Sequence, residues 1–533
     1  MQDEGMYWTA HGGNGTNLMW ASCHEYTSVV KDANGRAHED KILVDLGQFE
    51  AARKIGGEAF GGRFDKIVPD VSGVLPSSES GETKAQALFL THGHTDHFNG
   101  VFEYALAGFE LPPVYASEYT LKLLEAGFIE RGMDWRKYIE PHVVKEKDVL
   151  HFGDMTVEVA TAPHSIPGSL GFKISNEKAS VFHSGDIKLE ETSYIRSGAD
   201  LKQFAQIGAQ GLDFAVMDSC GAREKGHAFN EKQAYGVFKG LFDENANRQA
   251  VVVVPPAHVE RIATVLQAAK DAGREVVIDG GSVMDAHLLG LQDGELLDKF
   301  PNIVAAQDVK DSRNAVVLTS GVFAKYDNED SPLVRALNKG EKYDKMDDDA
   351  LVLIAHQHAS LKTLIHDSGL YPDVTVLDDS DVSGLYAPGH ARLDDLKDLL
   401  GLLKPAAVAP VHAPANVVAD FNKELAASGY GVVGDRPVRN GDTVKIVSGQ
   451  KPEIVETLDH GALCFTHGVV NGVERVESCE KHTYGELGIN TENRVDGSRR
   501  KLRASLEEKR SAYRKSRMNM TQHLIKQRAQ HGR

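Results

Sequence analysis

The sequence of 533 residues predicts a mixed α/β fold with about three domains. Residues 1–215 contain short apolar segments separated by Gly, Pro and Asn turns, a pattern typical of strands; these segments are Ile42–Val44, Leu88–Leu90, Val157–Ala160 and Val181–His183. Farther along, Val251–Val254 is followed by apolar residues at helical spacing and then by the apolar segment Glu275–Ile278. This strand–helix–strand order predicts a parallel sheet.

The character of the sequence changes along the chain and predicts five segments. Residues 1–215 form the first part of a core, residues 216–385 form an α/β insert, and residues 386–447 return to the core. In the return, a leucine face predicts a helix at Leu393–Leu403, and a strand at Ala406–Val411 follows it. Residues 448–497 are predicted to form a small β appendage, and residues 498–533 a basic helical or disordered tail. Within the insert, the polar stretch Asp327–Asp349 is predicted to be a loop or an excursion from the α/β order.

Charge is distributed unevenly along the chain. The formal net charge is −18, which does not fit a protein that coats nucleic acid over its whole surface. Residues 498–533 nevertheless contain 12 Lys and Arg against 2 Glu. This tail either gathers an anionic polymer such as RNA or serves as a solubilising or partner-binding segment, and both alternatives remain open.

Cysteine usage and hydropathy favour a cytoplasmic protein. The four cysteines have neither metal-ligand nor redox spacing, as expected for reduced thiols; they are Cys23, Cys220, Cys464 and Cys479. The first residues, MQDEGMYW, lack the basic and apolar pattern of a signal peptide. Apolar runs such as Val251–Val254 are far shorter than the roughly 20 residues that span a bilayer, so we expect no membrane segment.

The strongest chemical signal is the run T-H-G-H-T-D-H at residues 91–97, directly after an apolar strand. It places four metal-capable side chains within six residues: His92, His94, Asp96 and His97. Imidazole nitrogen and carboxylate oxygen suit zinc, with manganese as the harder alternative. Because His92 and His94 alternate by two, they face the same way on an extended chain, and the following turn can direct Asp96 and His97 to a second ion.

Three later residues at or after strand ends complete a two-ion ligand set. His164, Asp186 and His412 occupy these positions, and the carboxylate of Asp186 has two oxygens with which to bridge. We therefore predict His92, His94 and His164 at one ion, Asp96, His97 and His412 at the other, and Asp186 between them. Two ions held in this way can bridge a hydroxide nucleophile and clamp the oxygens of a phosphoryl or acyl group.

These motifs resemble the metallo-β-lactamase superfamily, and the segment between Asp218 and His390 resembles the β-CASP insert of its nucleic-acid-processing branch. The resemblance is strongest to the ribonuclease J family. The stretches that carry it run in the family's order from about residue 10 to about residue 447; they are ILVDLGQF, LFLTHGHTDHFNG, PPVYAS, TAPHSIPGSLGF, HSGDIK, MDS, AAKDAGREVV, PGHARLDDLKDLLGLLKPAAVAPVHA and NGDTVKI.

The resemblance implies an αββα sandwich interrupted by a β-CASP α/β domain. It also implies two divalent metal ions and hydrolysis of RNA phosphodiesters, as a 5′→3′ exonuclease, an endonuclease or both. The family often has a C-terminal oligomerisation domain, so a homodimer or higher homo-oligomer is a further expectation. Residues 448–497 are candidates for a reduced form of that domain.

The resemblance also implies roles for individual residues. Asp45 matches an aspartate that supports the metal loop, and Asp218 matches an acidic residue thought to orient a metal-ligating histidine. His390 matches a histidine that contacts the scissile phosphate and can protonate the leaving oxygen. Asp96, Asp218 and His390 are therefore assigned to catalysis, and the residues assigned to substrate binding are Ser165, His390 and Arg392.

The sequence departs from the family around His390. A Ser-Gly-His-Ala-Ser run usually holds the 5′-monophosphate of RNA, whereas here the run is Ala387-Pro-Gly-His-Ala-Arg392. Arg392 is a candidate for a different phosphate contact. The loops at Thr319–Tyr326 and Ala355–Ser360 also differ, and the latter carries His356 and His358, for which a structural role is favoured. These departures put recognition of the RNA 5′ end in question but leave the candidate metal ligands unchanged.

Two other functions are compatible with the same ligands. A small-molecule metallohydrolase, such as a lactonase or thioesterase, could use all seven, but such enzymes generally lack an insert like residues 216–385. A non-catalytic RNA-binding protein would explain the altered loops, but a decaying site would be expected to lose ligands first.

Overall fold

The structure is a computed structural model that describes residues 3–15, 21–32, 34–49, 66–75, 84–195, 200–291, 295–321, 331–356, 360–458, 461–470 and 473–483. The predicted basic tail (498–533), most of the predicted loop at 319–326 and His358 lie outside these residues. Among the described residues, no helix is long and apolar enough to cross a membrane.

The described strands, in chain order, are β1 (Gly5–Gly12), β2 (Asn14–Gly15), β3 (Cys23–Lys31), β4 (Ala37–Val44), β5 (Lys66–Pro69), β6 (Ala87–Phe89), β7 (Val114–Ala116), β8 (Pro141–Val143), β9 (Val149–Phe152), β10 (Met155–Thr161), β11 (Leu170–Ser175), β12 (Ser180–His183), β13 (Phe214–Asp218), β14 (Ala250–Val254), β15 (Glu275–Asp279), β16 (Ala315–Ser320), β17 (Leu351–Ile354), β18 (Thr375–Leu377), β19 (Ala407–Val411), β20 (Ala413–Pro414), β21 (Gly431–Val432), β22 (Asp442–Ile446), β23 (Glu453–Thr457), β24 (Gly461–Val470) and β25 (Val473–Thr483). The described α-helices are α1 (Thr95–Phe98), α2 (Gly100–Leu106), α3 (Glu118–Glu130), α4 (Lys202–Ala209), α5 (Glu231–Glu244), α6 (Val259–Asp271), α7 (Ser282–Leu289), α8 (Glu295–Lys299), α9 (Pro332–Asn338), α10 (Ser360–Ser368), α11 (Leu393–Leu403) and α12 (Ala415–Ala427).

Two mixed sheets pack face to face. The first has eight strands in the order β23-β22-β1-β3-β4-β6-β7-β8, and the second has seven in the order β21-β19-β13-β12-β11-β10-β9. Alternate side chains of each strand enter the space between them, among them Trp8, Ile42, Phe89, Phe172 and Val216, all fully buried. This alternation follows from the two-residue repeat of a strand.

Helices cover the outer face of each sheet, so the fold has four layers. Leu43 and Leu88 leave the first sheet on its outer side and pack in one cluster with Phe102 of α2 and Leu124 of α3. On the second sheet, α4, α11 and α12 supply a separate outer cluster that includes Phe204, Leu400 and Phe421. The predicted helix Leu393–Leu403 is α11, with its leucines buried on this face. The α/β sandwich class predicted from the sequence is confirmed.

The insert forms a five-stranded sheet in the order β15-β16-β14-β17-β18, with all neighbouring strands parallel. Val252 and Val254 pack with α5 and α6 on one face, while Val251 and Val253 pack with α9 on the other. Burial on both faces explains why this strand is a continuous valine run rather than an alternating one. The insert departs after β13, and the chain returns at β19, which pairs in parallel with β13.

The region predicted to be an appendage makes specific pairings with the core. Strand β23 pairs with β22 and so extends the first sheet. Strands β24 and β25 form a hairpin whose inner strand pairs with β5. The stretch Asp327–Asp349, predicted to be a loop or an excursion, contains helix α9, so the loop alternative is wrong over Pro332–Asn338.

Candidate metal centre

Asp45, at the end of β4, fixes the loop that follows β6. Its carboxylate accepts hydrogen bonds from the Thr91 amide (2.7 Å) and from the Thr91 hydroxyl (2.8 Å to Oδ2). Oδ2 of Asp45 also lies 2.7 Å from Nδ1 of His97. Asp45 is fully buried and adopts a positive φ of 62°, a backbone conformation that few non-glycine residues tolerate. This carboxylate therefore anchors both ends of the Thr91–His97 run.

The first cluster joins two histidines of that loop to residues from β-strand ends of the second sheet. Nδ1 of His94 lies 3.0 Å from Nε2 of His92 and 3.2 Å from Nε2 of His164. Oδ2 of Asp186 lies 3.6 Å from Nε2 of both His92 and His164. All four potential ligand atoms fall within 4.8 Å of one another.

The second cluster contains Asp96, His97 and His412. Asp186 reaches this cluster as well, because its Oδ1 lies 3.3 Å from Nε2 of His97 and its Oδ2 lies 3.5 Å from Nε2 of His412. Asp186 comes close because Gly185, with φ of 57°, packs against Thr91, where a Cβ would lie 2.9 Å from the Thr91 Cβ. The structure thus brings the seven sequence-predicted ligands into two adjacent groups, with Asp186 between them.

The arrangement of these side chains fits divalent metal ions. The outward nitrogens of three histidines have partners: Nδ1 of His164 with the Gly389 carbonyl (2.8 Å), Nδ1 of His92 with the Thr91 hydroxyl (3.0 Å) and Nδ1 of His97 with Asp45. Their inward nitrogens converge, and buried Nε2 of His97 has no hydrogen-bond partner among the described residues. In a neutral ring, a partner on the outer nitrogen fixes the tautomer and leaves the inner lone pair for an ion. The site therefore binds divalent metal.

Burial and charge set the protonation of the metal-free site. Burial holds the pKa of His92, His94 and His164 well below the ordinary value, so these three are neutral and can donate a lone pair. Burial also lowers the pKa of His97, but Asp186 and Asp45 outweigh it and raise that pKa well above its usual range. Burial raises the pKa of Asp186, but His412 and His97 outweigh it, so the pKa lies well below the ordinary value.

His390 enters the site on the returning chain. Its Nδ1 lies 2.7 Å from Oδ2 of Asp218, and its Nε2 lies 4.0 Å from Oδ2 of Asp186. Burial opposes protonation, but Asp218 and Asp186 raise the pKa of His390 to about 9. Asp218 also accepts hydrogen bonds from the amides of Ile187 and Cys220. Its histidine partner is thus His390 rather than one of the seven candidate ligands, which differs from the role implied by the resemblance.

The two other residues assigned to substrate binding have partners within the protein. Nε of Arg392 lies 2.9 Å from Oε2 of Glu224, and Arg392 is the residue at the N-terminus of α11. The Ser165 hydroxyl is buried and lies 3.4 Å from Nε2 of His94. Ser165 therefore adjoins the site, whereas Arg392 is half-buried beside the Glu224 carboxylate.

The sequence reasoning missed a histidine that the insert contributes. The ring of His287, on α7, lies 6.3 Å from that of His94, centre to centre, and its Nδ1 is 3.1 Å from the Tyr119 hydroxyl. Burial lowers the pKa of His287 to about 4. A single histidine in a helix carries no spacing signal, so this contact was not visible from the sequence.

Comparisons with known proteins agree with this site. A family model described as "Beta-lactamase superfamily domain" matches residues 68–237. The chain is 25% identical to ribonuclease J2 of Bacillus subtilis over 459 residues, covering 84% of this chain and 78% of that protein. It is 26% identical to ribonuclease J of Sinorhizobium meliloti over 520 residues, covering 94% of this chain and 81% of that protein.

A solved structure supports the fold. The crystal structure of a protein of unknown function from Enterococcus faecalis V583 superposes with a TM-score of 0.55 at 17% identity, covering 83% of this chain and all of the other. The four-layer sandwich and its His/Asp clusters define a metal-dependent hydrolase, and residues 68–237 match the β-lactamase superfamily domain. The chain is similar to ribonucleases J over most of its length, and this similarity supports a ribonuclease J-like protein of the β-CASP branch.

Proposed function

We propose that this protein is a metal-dependent ribonuclease that hydrolyses RNA phosphodiesters in RNA processing or decay. The observation that carries the proposal is the convergence of seven candidate ligands into two groups that share Asp186. Ribonucleases J match the chain over most of its length, including the insert. That extent of similarity, insert included, favours RNA over the small esters of a lactonase or thioesterase.

We further propose two divalent ions, with zinc favoured and manganese as the alternative. His92, His94 and His164 would hold one ion, Asp96, His97 and His412 the other, and Asp186 would serve both. When bound, such ions supply Lewis acidity at the phosphate and a water of lowered pKa. Neutral imidazoles at His92, His94 and His164 and an ionised Asp186 match what this set of ligands requires.

His390 is the proposed proton donor to the leaving oxygen. Its pKa of about 9 keeps it protonated at neutral pH, and Asp218 directs Nε2 of the ring toward Asp186. A protonated imidazole at hydrogen-bond reach of the departing oxygen contributes typically 10²- to 10⁴-fold to a rate. Asp218 holds the ring and stabilises its positive charge.

The details of substrate handling are further proposals. RNA is the substrate, cut from the 5′ end, internally or in both ways. Arg392 can contact a phosphate if the phosphate competes with Glu224 for its guanidinium, and Ser165 lies near enough to His94 to adjoin the substrate or support that ring. We also propose a cytoplasmic location and a homo-oligomeric state.

A single labelled RNA tests the proposal. The RNA carries either a 5′-monophosphate or a 5′-hydroxyl, and is incubated with the protein and Mn²⁺ or Zn²⁺. The variants are Asp96→Ala and, as a control on a surface turn, Asp134→Ala. We expect cleavage by the wild type and by Asp134→Ala, and loss of cleavage in Asp96→Ala.

The products distinguish the modes of action. Mononucleotides released faster from the 5′-monophosphate RNA indicate a 5′→3′ exonuclease, and internal fragments that do not depend on the 5′ group indicate an endonuclease. Intact RNA with Asp96-dependent hydrolysis of a lactone or thioester panel would overturn the proposal in favour of a small-molecule hydrolase. RNA binding without any turnover would overturn it in favour of a binding protein.

A further inference from the structure

The first turn of α6, in the insert, contacts three chain segments that lead to or from site residues. The Glu260 amide donates to the Ser165 carbonyl (3.1 Å), next to His164. The Glu260 carboxylate accepts from the Ser193 hydroxyl (2.7 Å), downstream of Asp186. Nη1 of Arg261 donates to the Leu385 carbonyl (2.7 Å), five residues before His390. One helical turn thus touches the chain near three residues of the metal centre.

Arg261 belongs to a buried ionic cluster that crosses from the insert to the core. Its guanidinium makes two bonds to Glu231, Nε to Oε2 (3.0 Å) and Nη2 to Oε1 (3.1 Å). Glu231 also accepts from the Thr264 hydroxyl and lies 3.7 Å from Nζ of Lys188. Lys188, two residues after Asp186, pairs in turn with Glu190 (3.3 Å), whose carboxylate accepts from the Glu231 amide.

These charges are deeply buried, and Arg261 and Glu231 are each about 1% exposed. Buried ion pairs are weak contributors to stability, because the cost of desolvating them approaches or exceeds their attraction. Their contribution is a defined geometry, because a planar guanidinium with five N–H donors fixes both the angles and the distances to its partners. In this case the partners are a helix of the insert and the Leu385 carbonyl.

The segment from Leu385 to His390 is short and pinned at both ends. Arg261 holds the Leu385 carbonyl, while the Ala391 amide donates to the Ile187 carbonyl (2.8 Å) and His390 bonds to Asp218. We infer that Arg261, with Glu231, is a positioning residue that sets the placement of His390 over the metal centre. The inference rests on the proposed function for its catalytic consequence, but not for its structural one.

Hydrogen exchange tests the structural part without any substrate. The variants are Arg261→Lys, which keeps the charge but cannot reach Glu231 and the Leu385 carbonyl together, and Arg261→Met. Arg274→Met is the matched control, because Arg274 is equally buried in the insert and donates to the carbonyls of Phe242 and Arg248 there. We expect faster exchange of the Ala391 amide in both Arg261 variants and unchanged exchange of that amide in the control. Equal exchange in folded Arg261 variants and wild type would overturn the inference.

Kinetics with single-stranded RNA test the catalytic part. We expect Arg261→Lys to lower kcat roughly 10- to 100-fold, as small misplacements of catalytic groups do, with KM changed less than about threefold. In a His390→Ala background the same substitution should lower kcat less than about threefold, because the group it positions is already gone. A fully additive loss would refute the positioning role and indicate a general structural one.

The outcomes separate this inference from the proposed function. Intact RNA with the wild-type protein would refute the proposed function, and the exchange of Ala391 alone would then decide whether Arg261 holds the segment. If the wild type cleaves RNA but the effects of the Arg261 and His390 substitutions on kcat are additive, only the positioning role is refuted. If Arg261→Met fails to fold, Arg261→Lys carries both measurements, since it leaves Glu231 with a cationic neighbour.

Discussion

Replacing Asp45 with Asn should weaken metal binding while preserving the fold. Asn is nearly the same size and tolerates the positive φ of this position. The amide oxygen can still accept from the Thr91 amide, but the amide nitrogen then faces Nδ1 of His97, where Oδ2 of Asp45 lies at 2.7 Å. In the neutral ring that a metal ion requires, Nδ1 of His97 must then become an acceptor, which places the ring proton on Nε2, the nitrogen that faces Asp186 and Asp96.

The loss of the metal-facing lone pair on Nε2 of His97 sets the expected decrease in metal affinity. Removal of a group that orients a metal ligand typically costs 10- to 100-fold in affinity, or about 1.4 to 2.8 kcal/mol. We would measure affinity by titrating Zn²⁺ or Mn²⁺ against a competing chelator, and the fold by thermal unfolding. Asp213→Asn is the control, since Asp213 accepts from the Ser180 amide (2.8 Å) at a strand end outside the metal centre. Affinity in Asp45→Asn equal to that of the wild type and the control would refute the tautomer argument.

Three further predictions concern the shared carboxylate, the His390 pair and the core. Asp186→Asn should lower the bound metal per chain and reduce RNA cleavage by at least about 100-fold, measured by elemental analysis and initial rates, because Asp186 contacts both clusters; full occupancy would contradict this. The pKa of His390, about 9, lies above its ordinary value of 6.5, so its pairing with Asp218 stabilises the metal-free protein fully below about pH 6.5 and loses this effect as the pH rises through about 9. Asp218→Asn should therefore lower Tm more at pH 6 than at pH 10, and an equal loss at both would contradict the pairing. Phe89→Ala should cost about 3–5 kcal/mol in chemical denaturation, since Phe89 packs against Tyr115, Phe152 and Phe172 between the sheets; a loss under about 1 kcal/mol would contradict that packing.

The parts of the site that could be predicted are those written locally in the sequence. Thr91–His97 places four side chains on one loop, and polar residues at strand ends identified the remaining candidate ligands, since such ends meet at one edge of a layered fold. The valine run of β14 and the leucine face of α11 were likewise readable from burial and periodicity.

The parts that could not be predicted depend on distant pairings. The ion pair between Arg392 and Glu224, the approach of His287 to His94 and the pairing of β24 with β5 each join residues far apart in sequence. Helix α9 was missed for a different reason: its short, mostly apolar sequence PLVRALN lies within the stretch Asp327–Asp349, which is polar overall. A local signal was present there, since Ser331 caps the helix and Pro332 occupies its first turn, both common at helix starts.

Because the insert splits the core, two neighbouring core strands are synthesised far apart in time. Strand β13 ends at Asp218, but its partner β19 ends at Val411, with the whole insert translated between them. At about 5–20 residues per second, a ribosome needs roughly 10–40 s to make that interval. During this time the nascent chain already contains the histidines of the first cluster, yet it lacks His412 and the Gly389 carbonyl that holds His164. The second cluster therefore remains incomplete until the segment that carries His412 is made, and a product truncated before His412 lacks one of its candidate ligands.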